Sequence, residues 1–198
     1  MIKRFFDFCV SGIGLLGLLP LLLIVAILVR LDSRGPVFFR QERVGQFGRI
    51  FKIHKFRTMV VDAEARGMQI TVGVDPRVTK VGGFLRRYKL DELPQLIDVL
   101  LGDMSLVGPR PEVPRYVACY PQAMKELVLS VRPGITDRAS IEFKDENEIL
   151  AHAVDPHHAY VTEVLPIKLG YYADYVHNRT LLGDIGIVFL TLKAIARR

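Results

Sequence analysis

The most constraining feature of the sequence is an uncharged apolar run near the N-terminus, from Val10 to Val29. About 20 consecutive apolar residues are enough for an α-helix to cross the hydrocarbon core of a bilayer. A cleaved signal peptide is disfavoured, because the run exceeds the usual apolar region of such a peptide and Leu28–Asp32 lacks the small residues of a cleavage site. The run therefore predicts a membrane-embedded helix.

Two features of this run favour a helix that enters the membrane and returns to the face it came from. Pro20 lies in the middle, where its missing N–H and its ring kink a helix. Basic residues flank both ends of the run. The rule that cytoplasmic flanks carry more positive charge therefore does not predict the orientation of the helix in the membrane. We predict a re-entrant membrane helix over residues 1–31, with a straight span as the alternative. The flanking basic residues are Lys3, Arg4, Arg30 and Arg34.

The remaining chain, residues 32–198, is long enough for one domain with its own core. The net charge of +6 indicates an anionic partner. Nucleic acid is disfavoured because aromatic residues are not interleaved with a basic patch, which leaves anionic lipid and phosphorylated substrates. The two cysteines, Cys9 and Cys119, provide neither a disulfide framework nor a four-ligand zinc site.

The pattern after the membrane segment predicts a mostly helical α+β fold. Val37–Phe39 and Ile50–Phe56 lie on either side of a glycine-containing turn and predict a small β-hairpin. Apolar residues then recur at helical spacing, with Gly102 as one helix stop. The last helix fits a buried position or the membrane interface equally well, so interfacial amphipathic helices are expected around the site. The predicted helices cover Thr58–Arg66, Leu93–Leu101, Glu112–Val131 (after its first prolines), Val164–Asn178 and Leu181–Ala196.

Charged residues suited to catalysis are concentrated around two neighbouring acids, Asp91 and Glu92. The residue before a proline is biased away from helix, so Pro94 predicts a helix that begins near Leu93. Both acids then lie at or just before a helix N-terminus, where the helix dipole and free N–H groups favour anions. The plain alternative is a helix cap with solvated carboxylates.

Cations bracket the two acids along the sequence. Arginine grips phosphate through two hydrogen bonds, and Arg110, held between Pro109 and Pro111, suits a preorganised phosphate clamp. Two acids among cations can hold Mg²⁺ on a diphosphate, and a carboxylate can attack phosphorus as a covalent nucleophile. The combination predicts a phosphoryl-transfer site at a membrane surface. The cations are Lys55, Arg57, Arg86, Arg87, Lys89 and Arg110.

Five segments between Gly35 and Pro111 resemble the bacterial sugar transferases of the monotopic phosphoglycosyl transferase family, and a sixth, Arg132–Thr136 (RPGIT), continues the match. With the apolar N-terminal segment, the resemblance covers most of the chain, and this order of motifs is highly specific. The five segments are GPVFFRQERVG (35–45), FKIHKFRTM (51–59), DPRVTKVGGFLRR (75–87), LDELPQL (90–96) and GDMSLVGPRP (102–111).

The resemblance implies transfer of a sugar-1-phosphate from a UDP-sugar to a polyprenyl phosphate such as undecaprenyl phosphate, with release of UMP. It also implies Mg²⁺ as the cofactor and a re-entrant membrane helix followed by a cytoplasmic catalytic domain. The expected location is the cytoplasmic face of the bacterial inner membrane, in contact with its lipid. Such a reaction is the first membrane step of bacterial glycoconjugate synthesis.

The functional residues of the family match this sequence motif by motif. Asp91 matches the nucleophile that forms a phosphosugar–enzyme intermediate, and Glu92 matches the Mg²⁺ ligand, with Asp91 as a second metal candidate. Arg110 and Arg86 match phosphate-binding residues. Further candidates are Lys55 and Arg57 for phosphate, and Asp155 for the sugar nucleotide.

The sequence departs from the pattern of the family at two positions. Asp137 stands where a glycine often follows the Pro-Gly-Ile-Thr segment, and Leu19 stands where a serine often precedes the helix-breaking proline. Two alternatives to the covalent mechanism remain open. One is the same transfer by single displacement in a ternary complex, and the other is a non-catalytic membrane adaptor that binds anionic lipid through its basic charge.

Overall fold

The chain begins with one long helix in the computed structural model, which describes residues 1–63, 75–143 and 150–197. This helix, α1 (Ile2–Asp32), has 31 residues and continues through Pro20. At a rise of about 1.5 Å per residue it is about 46 Å long. Within the described ranges it is the one helix that is long and apolar enough to cross a membrane.

Most of α1 is not covered by protein. Its buried residues are four, Asp7, Ser11, Val25 and Val29. Large exposed apolar side chains recur every three or four positions from one end to the other and form a continuous apolar face. A face of this size marks contact with a membrane or with another protein. These side chains include Phe5, Phe8, Ile13, Leu16, Leu19, Leu23, Ile27 and Leu31.

A β-hairpin follows α1, as the sequence predicted, but it is longer than the small hairpin expected because it extends into the predicted turn. Its outer pair joins β1 (Phe38–Phe39) to β4 (Lys55–Phe56), and its inner pair joins β2 (Glu42–Val44) to β3 (Ile50–Lys52). Both pairs are antiparallel. The predicted strand Ile50–Phe56 is therefore two short strands, with an interruption between β3 and β4.

The helix predicted from Thr58 is wrong for the part that the structure describes. Met59 instead pairs with Val78 in an antiparallel bridge, and the carbonyl of Thr58 accepts a hydrogen bond from the N–H of Thr79. This pairing between distant segments outweighs the local helical preference. The end of the predicted helix, residues 64–66, lies outside the described residues.

Helices form most of the remaining chain, together with one parallel pair of strands, so the mostly helical α+β class is confirmed. The described elements are α2 (Lys80–Arg87), a 3₁₀ turn (Leu90–Glu92), α3 (Gln95–Leu101), β5 (Ser105–Val107), α4 (Pro114–Val117), α5 (Gln122–Val128), β6 (Gly134–Thr136), α6 (Arg138–Glu142), α7 (Pro156–Ala159), a π-helical turn (Tyr160–Val164), α8 (Leu165–Asn178) and α9 (Leu181–Ala196). The predicted stop at Gly102 is confirmed, because this residue ends α3 with a φ of 93°. The helix predicted over Glu112–Val131 is instead two short helices, with Pro121 as the N-cap of the second.

The N-terminal end of α1 is fastened to the globular body by charged side chains. Arg4 donates hydrogen bonds to the carbonyls of Val99 and Leu100, at 2.5 and 3.1 Å, where α3 ends. Lys3 pairs with Asp184 of α9 at 2.5 Å. These contacts hold the first turns of α1 against α3 and α9.

The C-terminal end of α1 is fastened to the same body. Val25 and Val29 pack in one buried cluster with Phe56 of β4 and Leu85 of α2. The carboxylate of Asp32 accepts a hydrogen bond at 3.1 Å from the first turn of α2. Both ends of α1 are therefore attached to one folded unit.

The largest buried apolar cluster lies among α4, α5 and α8. Val44 of β2 belongs to the same cluster, so the hairpin is packed onto this core. The parallel pair of β5 and β6 lies elsewhere, between α3 and α9, where it carries the turns of the site. Members of the large cluster include Tyr116, Val117, Val128, Leu165, Leu169 and Tyr172.

Candidate active site

The two acids lie on a tight turn between α2 and α3. The hydroxyl of Thr79 caps α2 by accepting from the N–H of Gly82 at 3.0 Å. Lys89 adopts left-handed backbone angles, φ 56° and ψ 21°, and the 3₁₀ turn with Asp91 and Glu92 follows directly. The start of α3 at Gln95 agrees with the start predicted from Pro94. Asp91 and Glu92 are only 7% and 8% exposed, so they are not solvated cap residues.

Glu92 is held between two cations. Its Oε1 accepts one hydrogen bond from Nζ of Lys55 at 2.8 Å and another from Arg110, which also lies 3.3 Å from Oε2. Burial by itself raises the pKa of a carboxyl, but the charges of Arg110 and Lys55 outweigh it and hold the pKa of Glu92 well below its usual range. The charge of Glu92 in turn raises the pKa of Arg110. Glu92 is therefore a permanent anion.

The surroundings of Asp91 shift its pKa in the opposite direction from that of Glu92. Its Oδ1 is buried and has no hydrogen-bond partner among the described residues. Burial, followed by the neighbouring charge of Glu92, raises the pKa of Asp91. Paired carboxylates whose surroundings move their pKa values apart are typical of sites in which the two groups have different roles.

Lys55 reaches Glu92 because the residue before it is clasped to α3. The backbone N–H of His54 donates to Oδ2 of Asp98 at 2.9 Å, and Nδ1 of His54 lies 2.6 Å from Oδ1. The clasp fixes the interruption between β3 and β4 against the helix that follows the acids. Burial lowers the pKa of Lys55 to about 8, although the charge of Glu92 opposes this shift. His54 therefore supports the site through its contacts with Asp98.

Arg110 follows β5 on a turn whose backbone is fixed by two glycines. The N–H of Gly108 donates to the carbonyl of Thr136, and the N–H of Gly134 donates to the carbonyl of Pro109, so the turn is bonded to β6. A Cβ on Gly134 would lie 2.1 Å from the backbone nitrogen of Gly108, so only glycine fits there. This close approach joins the GPRP turn to the RPGIT segment and explains why both belong to one set of motifs.

Arg86 lies within electrostatic reach of the acid pair. Its Nε donates to the hydroxyl of Thr58 at 2.8 Å. Burial lowers the pKa of Arg86, while the negative charge of Asp91 is the largest influence that opposes this shift. The structure therefore brings together Asp91, Glu92 and four predicted cations: Lys55, Arg86, Lys89 and Arg110.

The hydrogen bonds of Arg57 lead away from the acid pair. Its guanidinium donates to the carbonyls of Val29, Ser33 and Arg34, at 3.3, 2.7 and 2.9 Å, where α1 ends. Carbonyls at a helix C-terminus lack partners within the helix, and a basic side chain satisfies them. These contacts make Arg57 part of the attachment of α1.

The carboxylate of Asp155 serves its own helix. It caps α7 by accepting from the N–H groups of His157 and His158, each at 3.0 Å. Asp155 is exposed, and these hydrogen bonds lower its pKa. No described hydrogen bond links it to the acid pair.

Two further buried acids, Glu112 and Asp137, raise the pKa of Arg110, and sequence reasoning assigned neither of them to the site. Glu112 accepts a hydrogen bond from the hydroxyl of Tyr160 at 2.6 Å. Asp137 caps α6, and burial raises its pKa although the N–H and hydroxyl of Ser140 donate to it at 2.9 and 2.6 Å. Both acids directly follow a motif, GPRP or RPGIT, and this adjacency is the signal that points to them.

An apolar groove lies beside Glu92, between α3 and α9. Its volume is about 230 Å³. Three charged side chains, Glu92, Arg110 and Lys89, line it together with residues of β5, β6 and α6. The other lining residues are Leu93, Leu96, Leu106, Ile135, Thr136, Ser140, Ile141, Val188, Thr191, Leu192, Ala194 and Ile195.

Comparison with known proteins agrees with the resemblance seen in the motifs. The family model described as bacterial sugar transferase matches residues 1–198, and this chain belongs to that family. It is 42% identical over 197 residues to an undecaprenyl-phosphate glucose phosphotransferase of Komagataeibacter xylinus, covering 96% of this chain and 35% of that protein. The identity is 39% over 195 residues with the UDP-glucose:undecaprenyl-phosphate glucose-1-phosphate transferase of Escherichia coli (strain K12), covering 97% of this chain and 39% of that protein.

A relative of more similar length is the exopolysaccharide production protein ExoY of Sinorhizobium fredii. It is 35% identical over 208 residues, which cover 98% of this chain and 84% of that protein. The chain thus spans less than half the length of the two glucose phosphotransferases and most of the length of ExoY.

Proposed function

We propose that this chain transfers a sugar-1-phosphate from a UDP-sugar to undecaprenyl phosphate and releases UMP. The observation that carries the proposal is the acid pair. Asp91 is buried and has a carboxylate oxygen without a hydrogen-bond partner among the described residues. The neighbouring Glu92 is bonded to both Lys55 and Arg110. The names of the two phosphotransferase relatives support these substrates. A membrane-embedded acceptor also explains why the site lies on a body that is attached to an apolar helix.

In the first step, the carboxylate of Asp91 attacks the sugar-bearing phosphorus of the UDP-sugar. A bond forms between the carboxylate oxygen and phosphorus, the bond from that phosphorus to the bridging oxygen breaks, and UMP leaves with the bond electrons. A desolvated carboxylate oxygen without a hydrogen-bond donor is a stronger nucleophile than a solvated one. The basic residues around the pair, Arg110, Lys55 and Arg86, stabilise the charge that develops on the phosphate oxygens.

In the second step, a phosphate oxygen of the lipid acceptor attacks the same phosphorus. The bond between phosphorus and Asp91 breaks, the carboxylate is regenerated, and polyprenyl diphosphate sugar is formed. The GPRP turn is suited to holding the phosphates in both steps, because the glycine contact with β6 fixes the backbone that carries Arg110. No general base is needed, since the acceptor oxygen is already ionised.

The donor set around the acid pair fits Mg²⁺. Asp91 has a carboxylate oxygen without a partner among the residues that the structure describes. Each carboxylate offers several lone pairs, so Glu92 retains room beside its two cations. The described residues contain no group of three or more potential metal ligands. This agrees with an ion held by one or two carboxylates and by substrate phosphates, so Asp91 and Glu92 would bind it jointly with the diphosphate. Such an ion neutralises diphosphate charge.

The sharpest test of the covalent mechanism is Asp91→Asn. Full-length protein in nanodiscs, incubated with a UDP-sugar labelled in its sugar-bearing phosphate, should acquire label on wild type and none on the variant, and the variant should lose turnover. Asp103→Asn is a matched control, because among the described residues the carboxylate of Asp103 contacts the exposed side chain of Arg49, at 3.8 Å. The covalent step would be overturned if the Asp91 variant kept its turnover and the wild type acquired no label. Single displacement would then remain as the mechanism.

The non-catalytic adaptor makes a different prediction. A protein that binds lipid through diffuse positive charge has no need for a buried carboxylate between two cations. If the protein is such an adaptor, Glu92→Gln should leave lipid binding intact. The wild type should then release no UMP from any UDP-sugar. UMP release from wild type that depends on undecaprenyl phosphate excludes the adaptor.

The proposal includes a re-entrant α1, with residues 1–31 in the membrane and residues 32–198 as a catalytic domain on the cytoplasmic face of the bacterial inner membrane. Its support is that Lys3 and Asp32, at opposite ends of α1, contact one folded body. A membrane-spanning helix would hold these ends on opposite sides. In intact cells, a tag before Ile2 should be protected from external reagents, as a C-terminal tag is. External labelling of the N-terminal tag alone would refute the re-entrant form.

A further inference from the structure

The apolar groove has walls that offer almost no free hydrogen-bonding groups. Oγ1 of Thr136 and Oγ1 of Thr191 lie 2.7 Å apart, and Thr191 also donates to the carbonyl of Ile187 at 2.8 Å. The hydroxyl of Ser140 donates to Asp137 at 2.6 Å. The three lining hydroxyls are therefore already bonded within the protein, and the surface that faces the groove is hydrocarbon.

Three charged side chains of the lining differ sharply from these walls. Lys89 and Arg110 line the groove together with Glu92, and both cations lower the pKa of Glu92. Lys55 adds a third positive charge through its contact with Glu92. The charged part of the lining therefore attracts an anion, whereas the remaining lining favours an apolar chain.

We propose that this groove binds the acceptor lipid, with its phosphate at Arg110 and Lys89 and its first isoprene units between α3 and α9. The proposal rests on the proposed function. A UDP-sugar does not fit the walls, because its ribose, base and sugar hydroxyls would lose hydrogen bonds to water without gaining partners. The lining combines cations with a hydrocarbon surface, and this combination matches a polyprenyl phosphate.

The size of the groove limits how much of the lipid it takes. Pockets that enclose a drug-sized ligand have volumes of about 300–1,000 Å³, and this groove is smaller, about 230 Å³. It accommodates the start of a polyprenyl chain and not its whole length. The wall formed by α9 also has apolar side chains on its outer side, Phe189 and Leu182, so the rest of the chain can continue along an apolar surface.

The first experiment measures binding and does not require turnover. Geranyl phosphate, which has two isoprene units, should raise the Tm of the full-length wild type in nanodiscs, and inorganic phosphate at the same concentration should raise it much less. Ala194→Phe, which fills the groove from α9, should lose most of the shift. Ile195→Ala, which removes contacts without adding bulk, should also reduce it. Leu190→Phe is the matched control, because Leu190 lies on α9 outside the groove.

The second experiment separates acceptor from donor. In Ala194→Phe, kcat/KM for undecaprenyl phosphate should fall about tenfold or more, the factor for about 1.4 kcal/mol of lost binding, while the KM for the UDP-sugar stays unchanged. A geranyl phosphate shift that is equal in wild type and Ala194→Phe overturns the groove proposal, as does a rise in donor KM alone. A normal, groove-dependent geranyl phosphate shift without any UMP release supports the groove and refutes the proposed function.

Discussion

The ammonium group of Lys55 lies 2.8 Å from a carboxylate oxygen of Glu92 that Arg110 also binds. Both residues of the first pair are largely buried, so the interaction is only weakly screened by water. Lys55 comes from the β-hairpin, whereas Glu92 precedes α3. The pair therefore connects two parts of the chain, and its charge state controls both stability and the field around Asp91.

The first prediction concerns pH. Burial lowers the pKa of Lys55 to about 8 from its ordinary 10.5, so this side chain should lose its proton just above neutral pH. The kcat/KM should decrease as pH rises through about 8, because one positive charge leaves the phosphate site. Stability should change in the opposite direction. Between pH 8 and 10.5 the unfolded chain holds more protons at Lys55 than the folded one, so this residue makes the free energy of unfolding increase.

Lys55→Arg provides the control for this assignment. A guanidinium stays charged throughout this range, so the decrease in kcat/KM near pH 8 should disappear even if the altered geometry lowers the activity. The pH–rate profiles of both proteins, measured with saturating acceptor, make the comparison. A decrease near pH 8 that persists in Lys55→Arg would assign the titration to another group.

The second prediction separates the two acids by their effect on stability. Asp91 has a raised pKa, so its charge destabilises the fold once the pH exceeds its ordinary 3.8. Asp91→Asn should therefore raise Tm while removing activity, by about 2–4 °C if it stabilises this chain by about 1 kcal/mol. Glu92→Gln should do the reverse. It leaves Lys55 and Arg110 buried without a carboxylate, which costs about 3–5 kcal/mol.

Thermal unfolding of the three proteins in one detergent at pH 7 tests this contrast. The Asp91 effect should diminish as the pH falls toward 3.8, because the raised pKa makes the folded protein take up this proton before the unfolded chain does. If both substitutions changed Tm by the same amount, in either direction, the opposite pKa shifts of the two acids would be contradicted.

The position of the two acids just before α3 could be predicted because the constraint is local. Pro94 limits the backbone before it, so the helix start and the position of Asp91 and Glu92 follow from neighbouring residues. Arg110 could also be predicted from its proline neighbours. Lys55 could only be a candidate, because its contact with Glu92 requires the hairpin to reach α3 through the clasp between His54 and Asp98.

Long-range packing accounts for what sequence reasoning did not find. Glu112 lies after β5 and Asp137 directly follows β6, and no local periodicity reveals that these two strands pair. Arg57 stands two residues after Lys55 in the same motif, yet its guanidinium turns to the end of α1. Residues two apart on an extended chain point to the same face, so the sequence favoured one site for both side chains. The strand β4 ends at Phe56, and Arg57 lies beyond it.

The third prediction tests the glycine contact that supports Arg110. Gly134→Ala would place a Cβ 2.1 Å from the backbone nitrogen of Gly108, so β5 and β6 must separate. We expect a loss of about 1–3 kcal/mol or more in stability, together with a lower kcat, because the GPRP turn shifts. Thermal unfolding and UMP release measure the two effects.

Gly170→Ala is the matched control for this substitution. Gly170 lies on α8 with open space around the position of a Cβ, and alanine in a helix is more stable than glycine by about 0.5–1 kcal/mol. This variant should unfold at the same or a higher temperature with unchanged kcat. A Gly134→Ala protein with normal stability and turnover would show that the turn tolerates separation of the strands.

The last prediction distinguishes the two roles assigned to Arg57. The sequence indicated a phosphate ligand, whereas the structure directs its guanidinium to Val29, Ser33 and Arg34. Lysine keeps the charge but cannot reach three carbonyls, so Arg57→Lys should lower stability by about 1.5–3 kcal/mol, the range for a hydrogen bond to a charged group. The KM for the UDP-sugar should stay unchanged. Arg110→Lys should show the opposite pattern, with a large loss of kcat/KM. If Arg57→Lys instead raised the KM for the UDP-sugar and left Tm normal, Arg57 would be a phosphate ligand after all.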